Sequence, residues 1–97
     1  MSVEEIRNEL AVNVKTLDPI GKKLKFVIDG KFMLIDGSGT ENVMTDADDD
    51  ADCTVTMSLE TYLKLQRKEI KPMIATLTGK LKVKGDLSLA KKLKQLM

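Results

Sequence analysis

Residues 78 to 97 read T-G-K-L-K-V-K-G-D-L-S-L-A-K-K-L-K-Q-L-M, and their hydrophobic period changes partway along. From Lys80 to Lys84 the apolar residues alternate, with Leu81 and Val83 set against three lysines, which predicts a half-buried strand. Beyond Gly85 the spacing turns helical. Asp86 is placed to cap a helix whose Leu89, Ala90, Leu93, Leu96 and Met97 share one face, opposite Lys91, Lys92 and Lys94. The leucine face can close the chain's own core or border an apolar ligand. The lysine face can meet an anionic membrane, the phosphates of a CoA thioester, or only water.

Working back from this stretch, Pro72 fits the first turn of a short helix through Met73, Ile74 and Leu77, closed by Gly79. Ser58 can cap another helix carrying Leu59, Tyr62, Leu63 and Gln66. Before it, Cys53 to Met57 alternates, with Ala51, Cys53, Val55 and Met57 on one face and Thr54 and Thr56 on the other. Residues 46 to 52, D-A-D-D-D-A-D, resemble the start of a calcium loop, but Ala51 stands where the loop needs glycine and Met57 where it needs a bidentate glutamate. A solvated acidic turn is expected, and no metal site.

In the first half, Ser2 and Glu5 make a capping box ahead of Ile6, Leu10, Val14 and Leu17 on one helix face, and Asp18-Pro19-Ile20-Gly21 ends that helix. Lys23 to Asp29 alternates with Leu24, Phe26 and Ile28 together. A turn at Gly30-Lys31 leads into a strand from Phe32 to Ile35. Asp36-Gly37-Ser38-Gly39 is a stronger hairpin signal before a third strand near Glu41 to Thr45. The three strands are expected to pair as an antiparallel meander. Helices and strands thus interleave along one short chain, an α+β domain with helices covering one sheet face.

Composition narrows the chemistry. At 97 residues the chain fits a single domain, residues 1–97. It has no histidine, so the usual proton shuttle and the commonest metal ligand are missing. The lone cysteine, Cys53, falls on an apolar strand face away from cations, where a thiol is unreactive. No cofactor and no enzymatic role are expected. Residues 58–97 hold ten Lys/Arg and three Asp/Glu, a net +7, against −6 for residues 1–57. That basic segment contains only Tyr62 as an aromatic and only Arg67 as an arginine, which argues against nucleic acid as a partner. There is no signal-like apolar segment and no membrane-length apolar run. A reducing, cytoplasmic setting is expected.

The richest constellation is apolar. Strand faces Phe26/Ile28, Val55/Met57 and Leu81/Val83 converge with helix faces Leu59/Tyr62/Leu63, Met73/Ile74/Leu77 and Leu89/Leu93/Leu96. Periodicity alone leaves two readings open, a filled core and a core hollowed for a lipid.

Two segments carry a resemblance that bears on the choice. Ala51 to Ser58, A-D-C-T-V-T-M-S, and Gly79 to Leu93, G-K-L-K-V-K-G-D-L-S-L-A-K-K-L, resemble the matching strand-helix segments of the sterol carrier protein 2 family, the nonspecific lipid-transfer domain. The intervening length and the Pro72 turn agree as well. The resemblance implies a five-stranded mixed sheet with helices on one face, enclosing an apolar tunnel lined by Val55, Met57, Leu59, Met73, Ile74, Leu77, Leu81, Val83, Leu89 and Leu93. It implies a carrier of fatty acid, acyl-CoA, sterol or phospholipid, or an accessory module that delivers such a substrate to a lipid-metabolising enzyme. The chain has Thr76, Leu77 and Thr78 where the family often carries aromatics, and it lacks a peroxisomal tail.

Overall fold

Ser2 opens the first helix by a reciprocal cap. Its hydroxyl accepts the Glu5 amide at 3.2 Å, and the Glu5 carboxylate accepts the Ser2 amide at 3.3 Å. The computed structural model describes residues 2–90, without the Ala90 side chain, so Leu93, Leu96, Lys91, Lys92 and Lys94 lie outside the described residues. Helix α1 spans Val3–Lys15 and buries Val3, Ile6, Leu10 and Val14, while Leu17, past its end, is half-buried against the same core.

The sheet has five strands, β1 (Lys23–Ile28), β2 (Lys31–Asp36), β3 (Val43–Thr45), β4 (Cys53–Met57) and β5 (Leu81–Gly85), in the order β3-β2-β1-β4-β5. The meander of β1, β2 and β3 is antiparallel, β4 joins β1 in parallel, and β5 is antiparallel to β4. The β1–β2 turn is Asp29-Gly30, a correction to the expected Gly30-Lys31. Both residues have positive φ, 50° and 78°, and Ile28 pairs with Lys31 across the turn. Tight hairpins need left-handed backbone at both turn positions, which glycine and aspartate adopt more readily than lysine.

Residues directly paired across strands share a face, so the register fixes the sheet's two sides. Leu24, Phe26 and Ile28 align with Cys53, Val55 and Met57, and Val55 and Met57 align in turn with Val83 and Leu81. Ile35 and Met33 continue the same face through β2. The opposite face carries Lys25, Thr54, Thr56, Lys82 and Lys84.

The helices gather on the apolar side. Helix α2 spans Leu59–Gln66, α3 Pro72–Leu77 and α4 Leu87–Ala90. Helix α1 lies against β2 and β3, α3 against β5, and α4 against β4 and β5. A hydrogen bond from Gln66 Nε2 to Glu9 Oε2, 3.1 Å, ties α2 to α1. Helix α2 buries Thr61, Tyr62 and Leu65, with Leu59 and Leu63 half-buried, so its inner stripe is rotated from the one expected with Gln66.

Asp36-Gly37-Ser38-Gly39 does not make a tight hairpin. Residues 37 to 42 form a longer connection organised by Asn42, only 3% exposed. Its Nδ2 donates to the carbonyls of Val14 (3.0 Å), Leu17 (3.3 Å) and Asp18 (3.1 Å), and its Oδ1 accepts the Ile20 amide at 3.0 Å. One side chain therefore satisfies backbone groups left open where α1 ends. Gly37 packs against this knot, and a Cβ there would collide with Ile20 and the Asn42 amide oxygen.

The acidic stretch is solvated, as expected, with its aspartates all exposed, and three of them also make contacts. Asp46 lies 3.5 Å from Arg7, Asp48 pairs with Lys25 at 2.8 Å, and the Asp52 carboxylate accepts the Lys23 amide at 2.9 Å. It carries the chain past β1 to the start of β4.

Candidate lipid-binding site

The candidate site is built on the helix-covered sheet face. Phe26, Ile28, Val55, Met57, Tyr62, Leu81 and Leu89 all belong to one buried cluster, and Leu59, Leu63 and Val83 pack against it half-buried. Burying each large apolar side chain contributes about 1.5–3 kcal/mol, so this face also holds much of the fold together. The cluster extends to Ile6, Leu10 and Val14 of α1, to Met33 and Ile35 of β2, and to Leu65 and Ala75. Leu65 and Ala75 were missing from the site expected from sequence.

Met73, Ile74 and Leu77 are the correction at this site. The structure turns them outward, 73%, 47% and 77% exposed. Helix α3 is short, has no side-chain cap, and buries only Ala75. A methyl-sized contact lets the helix backbone lie close on β5, and it commits the larger side chains to the other face.

The start of α4 is pinned to the sheet. Gly85 has a φ of 105°, and a Cβ there would collide with the Asp52 carbonyl. That carbonyl accepts the Asp86 amide at 2.8 Å. Asp86 Oδ1 accepts the Ser88 amide at 2.9 Å, capping α4 as the sequence predicted, while Oδ2 pairs with Lys22. The Lys22 hydrogen bond, followed by those from Ser88, holds the Asp86 carboxyl down at about 2, against an ordinary 3.8.

A depressed carboxyl contributes its stabilisation above the unfolded value and loses it as pH falls through the folded one. The α4 anchor is therefore intact above about pH 4 and released on acidification towards about 2. NMR titration of the Asp86 carboxyl should give a midpoint near 2; a midpoint at 3.8 or higher would show that the Lys22 contact does not persist in solution.

Two groups inside the cluster are kept uncharged. Burial, then the charge of Glu9, pushes the Tyr62 phenol up to about 12. Burial pushes the Cys53 thiol up as well, aided by Asp86, so it stays protonated and unreactive near neutral pH.

An open hollow of about 480 Å³ lies on the opposite face, lined among others by Lys23, Leu34, Asp36, Glu41, Thr45 and Asp49. Its charged rim suits water and ions, whereas the helix-covered face is apolar and buried. Among the described residues no helix is long and apolar enough to cross a membrane.

A five-stranded mixed sheet with all its helices on the apolar side is the α+β architecture the sequence predicts. The chain belongs to the SCP-2 sterol transfer family, whose model matches residues 5–97. It is 37% identical over 94 residues to sterol carrier protein 2 of Rattus norvegicus, an alignment covering 97% of this chain and 16% of that one. The chain thus spans about a sixth of the length of that curated relative. Among solved structures, palmitated SCP2L2 of Aedes aegypti is 27% identical with a TM-score of 0.72, covering 96% of this chain and 91% of the other. The crystal structure of Sterol Carrier Protein 2 Like 2 from the same mosquito is 25% identical with a TM-score of 0.70, covering 98% and 95%.

Proposed function

We propose that the chain is a lipid carrier that holds one apolar tail between the sheet face and the helices over β4 and β5, and transfers or presents it without chemical change. The observation that carries this reading is the unbroken apolar face running from Leu81 through Met57, Val55, Ile28 and Phe26, roofed by helices and free of any ionised side chain. The palmitated mosquito relative supports a fatty acid as the ligand class. The residues proposed to line the site are Phe26, Ile28, Val55, Met57, Leu59, Tyr62, Leu63, Leu81, Val83 and Leu89, together with Leu93 and Leu96 on the sequence pattern alone. A tail would enter by displacing helix contacts from this face.

The energetics are adequate. Burying each methylene gives about 0.8 kcal/mol, so a chain of about 16 carbons gains roughly 13 kcal/mol gross. Association and side-chain ordering cost about 4–15 kcal/mol, so a net of up to about 9 kcal/mol remains when those costs sit at the low end, an affinity around or somewhat below micromolar. Discrimination between similar tails is weak, since a methylene in an apolar pocket is worth only about 1–3 kcal/mol. With no histidine in the chain and its one thiol protonated, nothing in this reading calls for catalysis.

Native mass spectrometry of the purified protein should find a fatty acid or sterol released on denaturation. A chain that emerges lipid-free, and that binds no added palmitate at micromolar concentration, would overturn the reading. The rat relative's much greater length favours one variant, in which the chain is an accessory module delivering acyl-CoA or a steroid to a lipid-metabolising enzyme in a reducing, cytoplasmic compartment. Lys91, Lys92 and Lys94 would then meet CoA phosphates rather than a membrane. A preference of about tenfold or more for palmitoyl-CoA over palmitate supports the module, and equal affinities support a carrier of free lipid.

A further inference from the structure

Helix α3 is built inside out. Met73, Ile74 and Leu77 stand at positions i, i+1 and i+4, one face of a helix, and that face points to solvent while Ala75 alone is buried. The polar residues of this segment do not dilute the patch. Thr76 Oγ1 donates to the Pro72 carbonyl at 2.8 Å, and Thr78 Oγ1 donates to those of Ile74 (2.9 Å) and Ala75 (3.2 Å). Their hydroxyls are thus spent on the helix's own backbone.

The surroundings are basic. Arg67 and Lys68 precede α3, Lys71 is its N-cap residue, and Lys80 is bonded to it through a 2.9 Å hydrogen bond from its amide to the Ala75 carbonyl. All four are exposed, and none forms an ion pair among the described residues. From residue 61 to 84 Glu69 is the only acidic side chain.

An exposed apolar face flanked along the chain by exposed cations without ion pairs among the described residues matches a surface that is anionic outside and apolar just beneath. We infer that α3 is the membrane-docking face of this protein, with Met73, Ile74 and Leu77 entering the headgroup region of an anionic phospholipid bilayer while Arg67, Lys68, Lys71 and Lys80 bind its phosphates. The inference extends the carrier reading by naming where the carrier meets its donor membrane, and it places that contact against β5, the sheet edge at the candidate site.

The test uses the full chain and sedimentation with vesicles of phosphatidylcholine, with and without phosphatidylglycerol. Binding should be at least about tenfold stronger to the anionic vesicles and should weaken as salt is raised. Met73→Ser/Leu77→Ser should reduce that binding about tenfold or more, and Lys71→Glu/Lys80→Glu should remove the preference for anionic vesicles. These four side chains are exposed, so thermal melts should match the parent's. Equal binding to both vesicle types, or unchanged binding by the Met73/Leu77 double variant, overturns the inference. So does a parent that self-associates through α3, seen as a dimer by light scattering that the same double variant dissolves. Palmitate binding without vesicles is measured alongside. In the parent chain, anionic-vesicle binding without any palmitate binding would sink the carrier reading alone, and palmitate binding without a preference for anionic vesicles would sink the docking face alone.

Discussion

A chain ended after Asp86 is expected to lose lipid transfer between vesicles, with the rate falling by about tenfold or more. The cut leaves the Gly85–Asp52 contact and the Lys22–Asp86 pair in place, so the sheet keeps its edge strand. What it removes is α4, whose Leu89 is 3% exposed and which lies against β4 and β5 over the candidate site. Loss of that side chain alone costs about 2–5 kcal/mol of packing, the usual range for a buried leucine cut to alanine. Without a cover, a bound tail stays partly in water and each exposed methylene forfeits about 0.8 kcal/mol, so retention falls steeply. Fluorescent-lipid transfer between donor and acceptor vesicles measures the effect, and the full-length Leu89→Ala variant should show a milder loss in the same direction. Transfer undiminished in the shortened chain would mean that α4 is not the lid.

Asn42→Ala is expected to be the most damaging polar substitution, lowering unfolding free energy by about 3–4 kcal/mol. Three backbone groups past the end of α1 depend on its side chain, namely the partly buried carbonyls of Leu17 and Asp18 and the amide of Ile20, while the Val14 carbonyl it also bonds keeps the Leu17 amide at 3.4 Å. Each buried group left without a partner costs about 1–3 kcal/mol, and water entering beside Gly37 offsets only part of the total. A loss of this size takes a large share of the roughly 5–15 kcal/mol that holds a typical chain folded. Urea denaturation gives the value directly, and a change below about 1 kcal/mol would mean the knot is dispensable.

Asn42 also marks where reading the sequence stops. Signals carried by neighbouring residues were legible: the Ser2–Glu5 cap, the alternation in β1 and β4, and the change of period at Gly85-Asp86. Asn42 fell unremarked inside the third strand expected near Glu41 to Thr45, because all its partners lie 22 or more residues away. The Asp36-to-Gly39 cluster carries a hairpin's composition, yet the geometry there is set by that distant knot. The parallel pairing of β1 with β4 has no local signature either; the resemblance implied a mixed sheet but not which strands run parallel. In the apolar constellation, periodicity correctly gathered Phe26, Ile28, Val55, Met57 and Leu81. It also gathered Met73, Ile74 and Leu77 on one helix face, but a face has no sign. Whether it looks inward depends on where Ala75 lets the backbone rest, and that is tertiary information.

The parallel β1–β4 contact also governs the order in which the chain is able to assemble. Leu24 has to find Cys53 and Ile28 has to find Met57, with two strands and the acidic stretch looped out between them. During synthesis α1 and the β1–β3 meander emerge first, and the Leu24–Phe26–Ile28 row waits beside an empty strand position until residue 57 is free. Long-range closures of this kind are slow compared with hairpins and helices. Association of β4 is thus the natural rate-limiting step, and β5 has nothing to pair with before it. Fragments separated within the acidic stretch would each lack half of the central strand pair, so the two halves of the sequence are kinetically dependent on one another from the first moment of folding.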